Sequence, residues 1–138
     1  MVLRPLLGVV KLAPLGGMHN PNGTSVLEHA LEVATLARPL VEAIQRKDRD
    51  LASWFFNHSS ASQVRRAISS IALNAAEARG NAGGNTRVRL ESALGSLYEA
   101  RTGIRLAVNW GYFSQASANE TLASLDRLGG RVFGVLRR

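Results

Sequence analysis

The stretch SQVRRAISSIALNAAEARG, residues 62–80, decides the fold class, because its apolar residues recur with the period of an α-helix. At about 100° per residue, six apolar side chains fall on one side of this helix: Val64, Ala67, Ile68, Ile71, Ala75 and Ala78. A second arc is polar and carries Gln63, Arg66, Ser70, Asn74 and Glu77, with Leu73 at its edge. Serine and asparagine are poor choices for a solvated helix surface. The second arc therefore predicts a buried contact with another helix or another subunit, and a plain solvated face is the alternative.

A first helix is predicted over residues 25–46. Ser25 followed by Glu28 is a capping-box signature, and apolar residues then recur every three or four positions. Pro39 falls inside this helix, and because proline removes one backbone hydrogen bond it is expected to kink or split the helix. The charged run QRKDRD, residues 45–50, is typical of a solvated helix end, and WFFNHSS, residues 54–60, is interpreted as an apolar plug after it.

The second helix is predicted to begin at a serine cap within residues 59–62 and to end near Arg79. GNAGGN, residues 80–85, is a loop by composition, and Asn85 or Thr86 is the predicted cap of a third helix. Gly111 is the expected left-handed stop of that helix, and Ser114 is the expected cap of a fourth.

Four helices with short connections and no strand pattern predict an all-α fold, an antiparallel up-down four-helix bundle. The bundle domain is assigned to residues 24–138. Residues 1–23 end in the turn-prone sequence HNPNG and are interpreted as a flexible leader. A chain of 138 residues fits one such domain.

The charge balance is basic, with 17 Lys+Arg against 10 Asp+Glu and a net charge of +7. Only two of the basic residues are lysine, and arginine suits phosphates, carboxylates and subunit ion pairs. No apolar run approaches the roughly 18–20 residues that cross a bilayer, so no membrane partner is expected. The absence of cysteine suits a reducing compartment and predicts a cytoplasmic location.

The sequence argues against an enzyme. A di-iron bundle needs Glu-x-x-His pairs, and no histidine follows any glutamate at that spacing. The three histidines, His19, His29 and His58, are far apart, and His29 is most simply a helix-face residue. We therefore predict no catalytic residue, no metal site and no cofactor.

Two residue sets are candidates for interaction. The oligomer interface or buried polar network is predicted to comprise Gln63, Arg66, Ser70, Asn74, Glu77, Gly95 and Glu99. A surface for RNA or DNA phosphates is predicted to comprise Arg87, Arg89, Arg101, Arg105, Arg131, Arg137 and Arg138. A solvated or subunit-pairing basic face explains the arginines equally well. Gly95 and Gly103 are expected where another helix approaches closely, because each weakens its own helix.

The blocks SQVRRAISSIALNAAEA (residues 62–78) and ALGSLYEARTGIRLAVNWGY (residues 93–112) resemble the signature of a known family. It is the family of four-helix-bundle proteins encoded in intervening sequences of bacterial 23S rRNA genes. Alanines at positions 72 and 78 depart from its pattern, where proline and glycine are usual. The resemblance implies a four-helix bundle that assembles as a homopentameric ring. A distant relative is the basic pentameric accessory protein of diversity-generating retroelements, which partners a reverse transcriptase and RNA.

The role of this family is unsettled, so the resemblance implies an assembly and no activity. The resulting hypothesis is a non-enzymatic homo-oligomeric scaffold with affinity for RNA or another nucleic acid. The alternative is an adaptor that binds a protein partner and no nucleic acid.

Overall fold

The computed structural model describes residues 25–52, 60–80 and 84–138. They form four helices, α1 (Val26–Ala52), α2 (Ser60–Gly80), α3 (Gly84–Asn109) and α4 (Gln115–Leu136), and these described residues contain no strand. Each helix packs against its neighbour in sequence, α1 also packs against α4, and the contact between α2 and α3 is the most extensive. The predicted all-α four-helix bundle is confirmed. The predicted leader, residues 1–23, and most of the WFFNHSS plug lie outside the described residues.

The start of α1 follows the predicted capping box. The backbone N–H of Glu28 donates to the Ser25 hydroxyl at 3.0 Å, and the Ser25 N–H faces a Glu28 carboxylate oxygen at 3.5 Å. Pro39 does not split the helix, which continues to Ala52, beyond the predicted end near residue 46. Leu40 and Val41 are buried beside the proline. Their packing outweighs the one backbone bond that proline removes, because tertiary contacts supply most helix stability in proteins.

The connection between α2 and α3 is shorter than predicted. Because α3 already begins at Gly84, Asn85 and Thr86 lie in its first turn and neither is its cap. The Thr86 hydroxyl instead donates to the Ala78 carbonyl at 3.3 Å. Thr86 thus satisfies a carbonyl in the last turn of α2, which has no partner within its own helix.

The turn between α3 and α4 matches its prediction. Gly111 adopts φ 79°, a left-handed conformation that glycine accepts without strain. The Gly111 N–H donates to the Val108 carbonyl at 3.0 Å and thereby helps to close the end of α3. Ser114 caps α4 by accepting the backbone N–H of Ser117 at 3.1 Å.

The core lies where the apolar stripes of the four helices meet. All six apolar residues of the predicted stripe on α2 are buried. The largest fully buried side chains come from every helix: Ile44, Ile71, Leu90, Leu97, Ile104, Leu125 and Leu128. None of the four described helices combines the length and the apolar character that a membrane span requires.

Candidate functional site

A polar seam lies between α2 and α3, along the second arc of the opening stretch. The Asn74 side-chain amide donates to the Ser70 carbonyl at 2.9 Å and to the Ser70 hydroxyl at 3.0 Å. The Ser96 hydroxyl of α3 donates to the Ser70 hydroxyl oxygen at 2.8 Å. All three side chains are partly buried. The seam thus brings together two predicted network residues, Ser70 and Asn74. It adds Ser96, which was not predicted although it directly follows the predicted Gly95.

Glu77 extends the seam with an ion pair. Its carboxylate accepts from the Arg89 guanidinium at 2.7 Å, and both side chains are about half exposed. An ion pair this exposed stabilises a fold by about 0–1 kcal/mol. The structure therefore joins one residue predicted for the interface to one predicted for nucleic acid, and the charge of Arg89 is neutralised locally.

Beside the seam lies an exposed surface that we call the α2–α3 outer face. It is formed by residues spaced at heptad-like intervals on the solvent side of the two helices: Arg66, Leu73, Val88, Gly95, Glu99 and Leu106. Leu73 is 64% exposed, and Val88 and Leu106 are also large exposed hydrophobic residues. Gln63 is exposed at the margin of this face.

The two glycines of α3 have different environments. A Cβ atom at Gly103 would lie 2.6 Å from Cγ2 of Val64, so glycine at this position allows α2 to approach. A Cβ atom at Gly95 would meet nothing within 4 Å among the described residues. The expectation of a close helix approach is therefore met at Gly103 within the protomer, and Gly95 faces open space.

The arginines predicted for nucleic acid are divided among three places. Arg89 lies at the α2–α3 seam, and Arg131 lies on the α1 side of α4, close enough to His29 to affect its titration. Five others follow the outer edge between α3 and α4, or the end of α4: Arg87, Arg101, Arg105, Arg137 and Arg138. The seven arginines therefore do not form a single surface.

A buried Ser–His pair connects α1 and α4. The His29 Nε2 atom lies 3.1 Å from the Ser124 hydroxyl, and the two residues are only 4% and 2% exposed. Among the described residues, the His29 Nδ1 atom is buried with no hydrogen-bond partner. Burial, with smaller contributions from Arg131 and Arg127 that Glu32 opposes, lowers the pKa of His29 below its ordinary value.

This pair has the distance of a nucleophile and its base, but it lacks two other features of a hydrolytic site. Within the described ranges, no group bonds to the second ring nitrogen, and both residues are almost fully buried. The pair is a hydrogen-bonded contact between α1 and α4. The sequence signal for it was the position of His29 four residues before the buried Val33, within the apolar period. Among the described residues, no three His, Asp or Glu side chains are placed to hold a metal ion.

The geometry defines an antiparallel four-helix bundle with polar seams and a charged outer surface. The model of the 23S rRNA-intervening sequence protein family matches residues 29–134, and the chain belongs to this family. The resemblance found in the two sequence blocks is thereby confirmed.

A solved structure agrees on the fold. The chain is similar to a protein of unknown function from the S23 ribosomal protein family of Bacteroides thetaiotaomicron, with 16% sequence identity and a TM-score of 0.70. The alignment covers 82% of this chain and 99% of that one. No curated protein matches the chain.

Proposed function

We propose that this protein is a non-enzymatic helical scaffold whose copies assemble through the α2–α3 outer face. The observation that carries the proposal is the exposure of Leu73 on α2, together with Gly95 on α3, where an added Cβ atom would meet no described atom within 4 Å. Leucine in water and glycine inside a helix are both unfavourable unless a further surface packs there. The ring of five copies that the family resemblance implies is the proposed form, and the cysteine-free sequence suits a cytoplasmic scaffold.

A second copy of the chain fits this face better than an unrelated ligand does. The face carries an exposed cation, Arg66, and an exposed anion, Glu99, and therefore offers charge of both signs to a partner of the same composition. The polar groups beneath it are already satisfied, because Ser70 and Asn74 bond within the seam. Covering the seam with another protomer would leave few polar groups without partners.

The test is the native mass of the Leu73→Glu variant. We expect the wild-type chain to have the mass of several protomers at micromolar concentration and Leu73→Glu to shift toward a single protomer, since the substitution places a charge where an apolar contact forms. Ala123→Glu adds the same charge on an exposed position of α4 and is the matched control, with an expected wild-type mass.

Two results contradict the proposal. One is a wild-type mass equal to that of a single chain, which favours the adaptor for a protein partner. The other is a Leu73→Glu variant that keeps the full wild-type mass, which would place the contact between copies elsewhere.

A further inference from the structure

Two rows of side chains run along the outer edge between α3 and α4. On α3 they are spaced by four and three residues: Arg87, Glu91, Leu94, Tyr98, Arg101 and Arg105. On α4 the same spacing gives Asp126, Gly130, Phe133 and Arg137. The rows are connected at two levels, by Arg101 to the Asp126 carboxylate at 2.8 Å and by Arg87 to the Leu136 carbonyl at 2.9 Å. We call this surface the α3–α4 edge.

Two exposed aromatic rings lie on this edge. Tyr98 is 56% exposed and Phe133 is 49% exposed. Tyr98 lies one turn from Arg101 toward the start of α3, and Phe133 lies two turns from Asp126 toward the end of α4. Because the helices are antiparallel, these two directions are the same. Both rings therefore lie on the same side of the connecting ion pair. The Arg137 guanidinium lies over the Phe133 ring, 4.8 Å from its centroid.

No residue in the described part of the chain covers the α4 backbone at Gly130, near these rings. A Cβ atom at Gly130 would meet no described atom within 4 Å, whereas one at Gly129 would lie 3.5 Å from Leu97. Gly129 therefore faces the packed side of α4 toward Leu97, whereas Gly130 faces open space among the described residues. A flat ligand can therefore approach the helix surface between the two aromatic rings.

The charge of this edge is positive. Arg87, Arg101, Arg105 and Arg137 contribute +4, and Glu91 and Asp126 contribute −2, which leaves +2. Arg105 is exposed and has no ion pair or hydrogen bond with the described residues. Alternating cations and exposed aromatic rings are the two elements of a surface that binds single-stranded nucleic acid, because the cations contact phosphates and the rings stack on bases.

We propose that the α3–α4 edge binds single-stranded nucleic acid, with Tyr98 and Phe133 stacking on bases and Arg105 contacting phosphates. A duplex fits less well, because its bases already stack on each other and leave only phosphates for the edge. The edge and the assembly face occupy neighbouring rows of α3, because Gly95 lies four residues after Glu91 and three before Tyr98. Several copies of the edge in one assembly would raise the apparent affinity for a long strand.

The experiment measures fluorescence anisotropy of a labelled 20-nucleotide single-stranded RNA at about 50 mM salt, where phosphate contacts are strong. We expect the wild-type chain to bind, and the double variant Tyr98→Ala/Phe133→Ala to bind at least about 10-fold more weakly, given the free energy of base–aromatic stacking. Trp110→Ala removes another exposed aromatic ring, outside the two rows, and is the matched control with an expected change of less than about twofold.

A second variant separates stacking from charge. Arg105→Gln removes one phosphate contact and should therefore reduce the slope of log affinity against log salt concentration by about 1. The double aromatic variant should leave that slope unchanged. Circular dichroism of each variant checks that the fold is intact. Leu73→Glu in the same assay shows the contribution of assembly, because it leaves the α3–α4 edge intact.

Four results would overturn the inference: no binding by the wild-type chain, equal losses in Trp110→Ala and the double variant, preference for a duplex of the same length, or an unchanged salt slope in Arg105→Gln. A surface that instead binds a protein partner would give the first of these results. The last three compare variants or ligands within one assay and do not depend on whether the copies assemble.

Discussion

Two polar seams hold antiparallel helix pairs together, and they differ in burial. At the α1–α4 seam, His29 bonds to Ser124 and the Thr121 hydroxyl donates to the Leu36 carbonyl at 3.3 Å, with all three side chains buried. At the α2–α3 seam, Asn74 bonds to Ser70 with both side chains partly buried. The side chains of the first seam are buried within one chain, whereas the second seam borders a surface with exposed hydrophobic residues.

The difference separates polar residues that serve the fold from those available to a partner. A polar group fully buried in one chain is satisfied there or destabilises the fold. A half-buried group beside an exposed leucine is satisfied within the chain and can still be covered by a second surface. Polar residues in a helix are therefore candidates for a contact between copies only where exposed hydrophobic residues lie beside them, as Leu73 does here.

The largest effect on the folded protomer is expected from Gly103→Ala, which tests how closely α2 packs against α3. The added methyl group would overlap Cγ2 of Val64, and valine has little rotamer freedom with which to move away. We expect a loss of about 1–3 kcal/mol in the free energy of unfolding. Urea unfolding followed by circular dichroism measures it, and a variant as stable as the wild type would show that α2 can shift without loss.

A smaller effect is expected from pH at the α1–α4 seam. Burial keeps the pKa of His29 in the folded chain below the ordinary value of about 6.5. The unfolded chain therefore binds more protons there, so this contribution to stability is present above about pH 6.5 and is lost as pH falls toward the folded pKa.

Two arginines near His29 lower its pKa in the same direction as burial does. Arg127 and Arg131 of α4 disfavour the imidazolium, and Glu32 of α1 partly offsets them. We expect the melting temperature of the wild-type chain to fall more steeply between pH 7 and about pH 5 than that of His29→Gln, which shares every other titrating group. Parallel curves would mean that His29 charges as readily in the folded chain as in the unfolded one.

Local signals predicted the fold well. The apolar periods, the Ser25–Glu28 capping box, the Gly111 stop and the Ser114 cap all depend on residues within a few positions of each other, and all are confirmed. The misplaced features depend on contacts across the bundle. Pro39 lies in a continuous helix because its neighbours are packed, and Thr86 satisfies a carbonyl of α2 across the loop.

The candidate surfaces were predictable only in part. The period of α2 placed Ser70, Asn74 and Glu77 together on one side, which the structure bears out. It gave no means of pairing Arg89 with Glu77, because the register between antiparallel helices depends on core packing along their whole length. Several arginines of the α3–α4 edge were predicted for nucleic acid, but the pairing of the two aromatic rings was not, since the rest of α3, a turn and most of α4 separate Tyr98 from Phe133 in sequence.

The smallest effect on the folded protomer is expected from Gly95→Ala, the matched partner of Gly103→Ala. Open space surrounds the new methyl group, so the protomer should gain about 0.4–1 kcal/mol through lower entropy of the unfolded chain. If copies meet on the α2–α3 outer face, the same methyl group enters the contact between them and lowers the native mass measured at low micromolar concentration. A more stable chain with a lower mass would show that glycine at this position serves assembly. Gain of stability with an unchanged mass would remove Gly95 from the contact between copies, and the apolar surface around Leu73 would then have to form that contact without it.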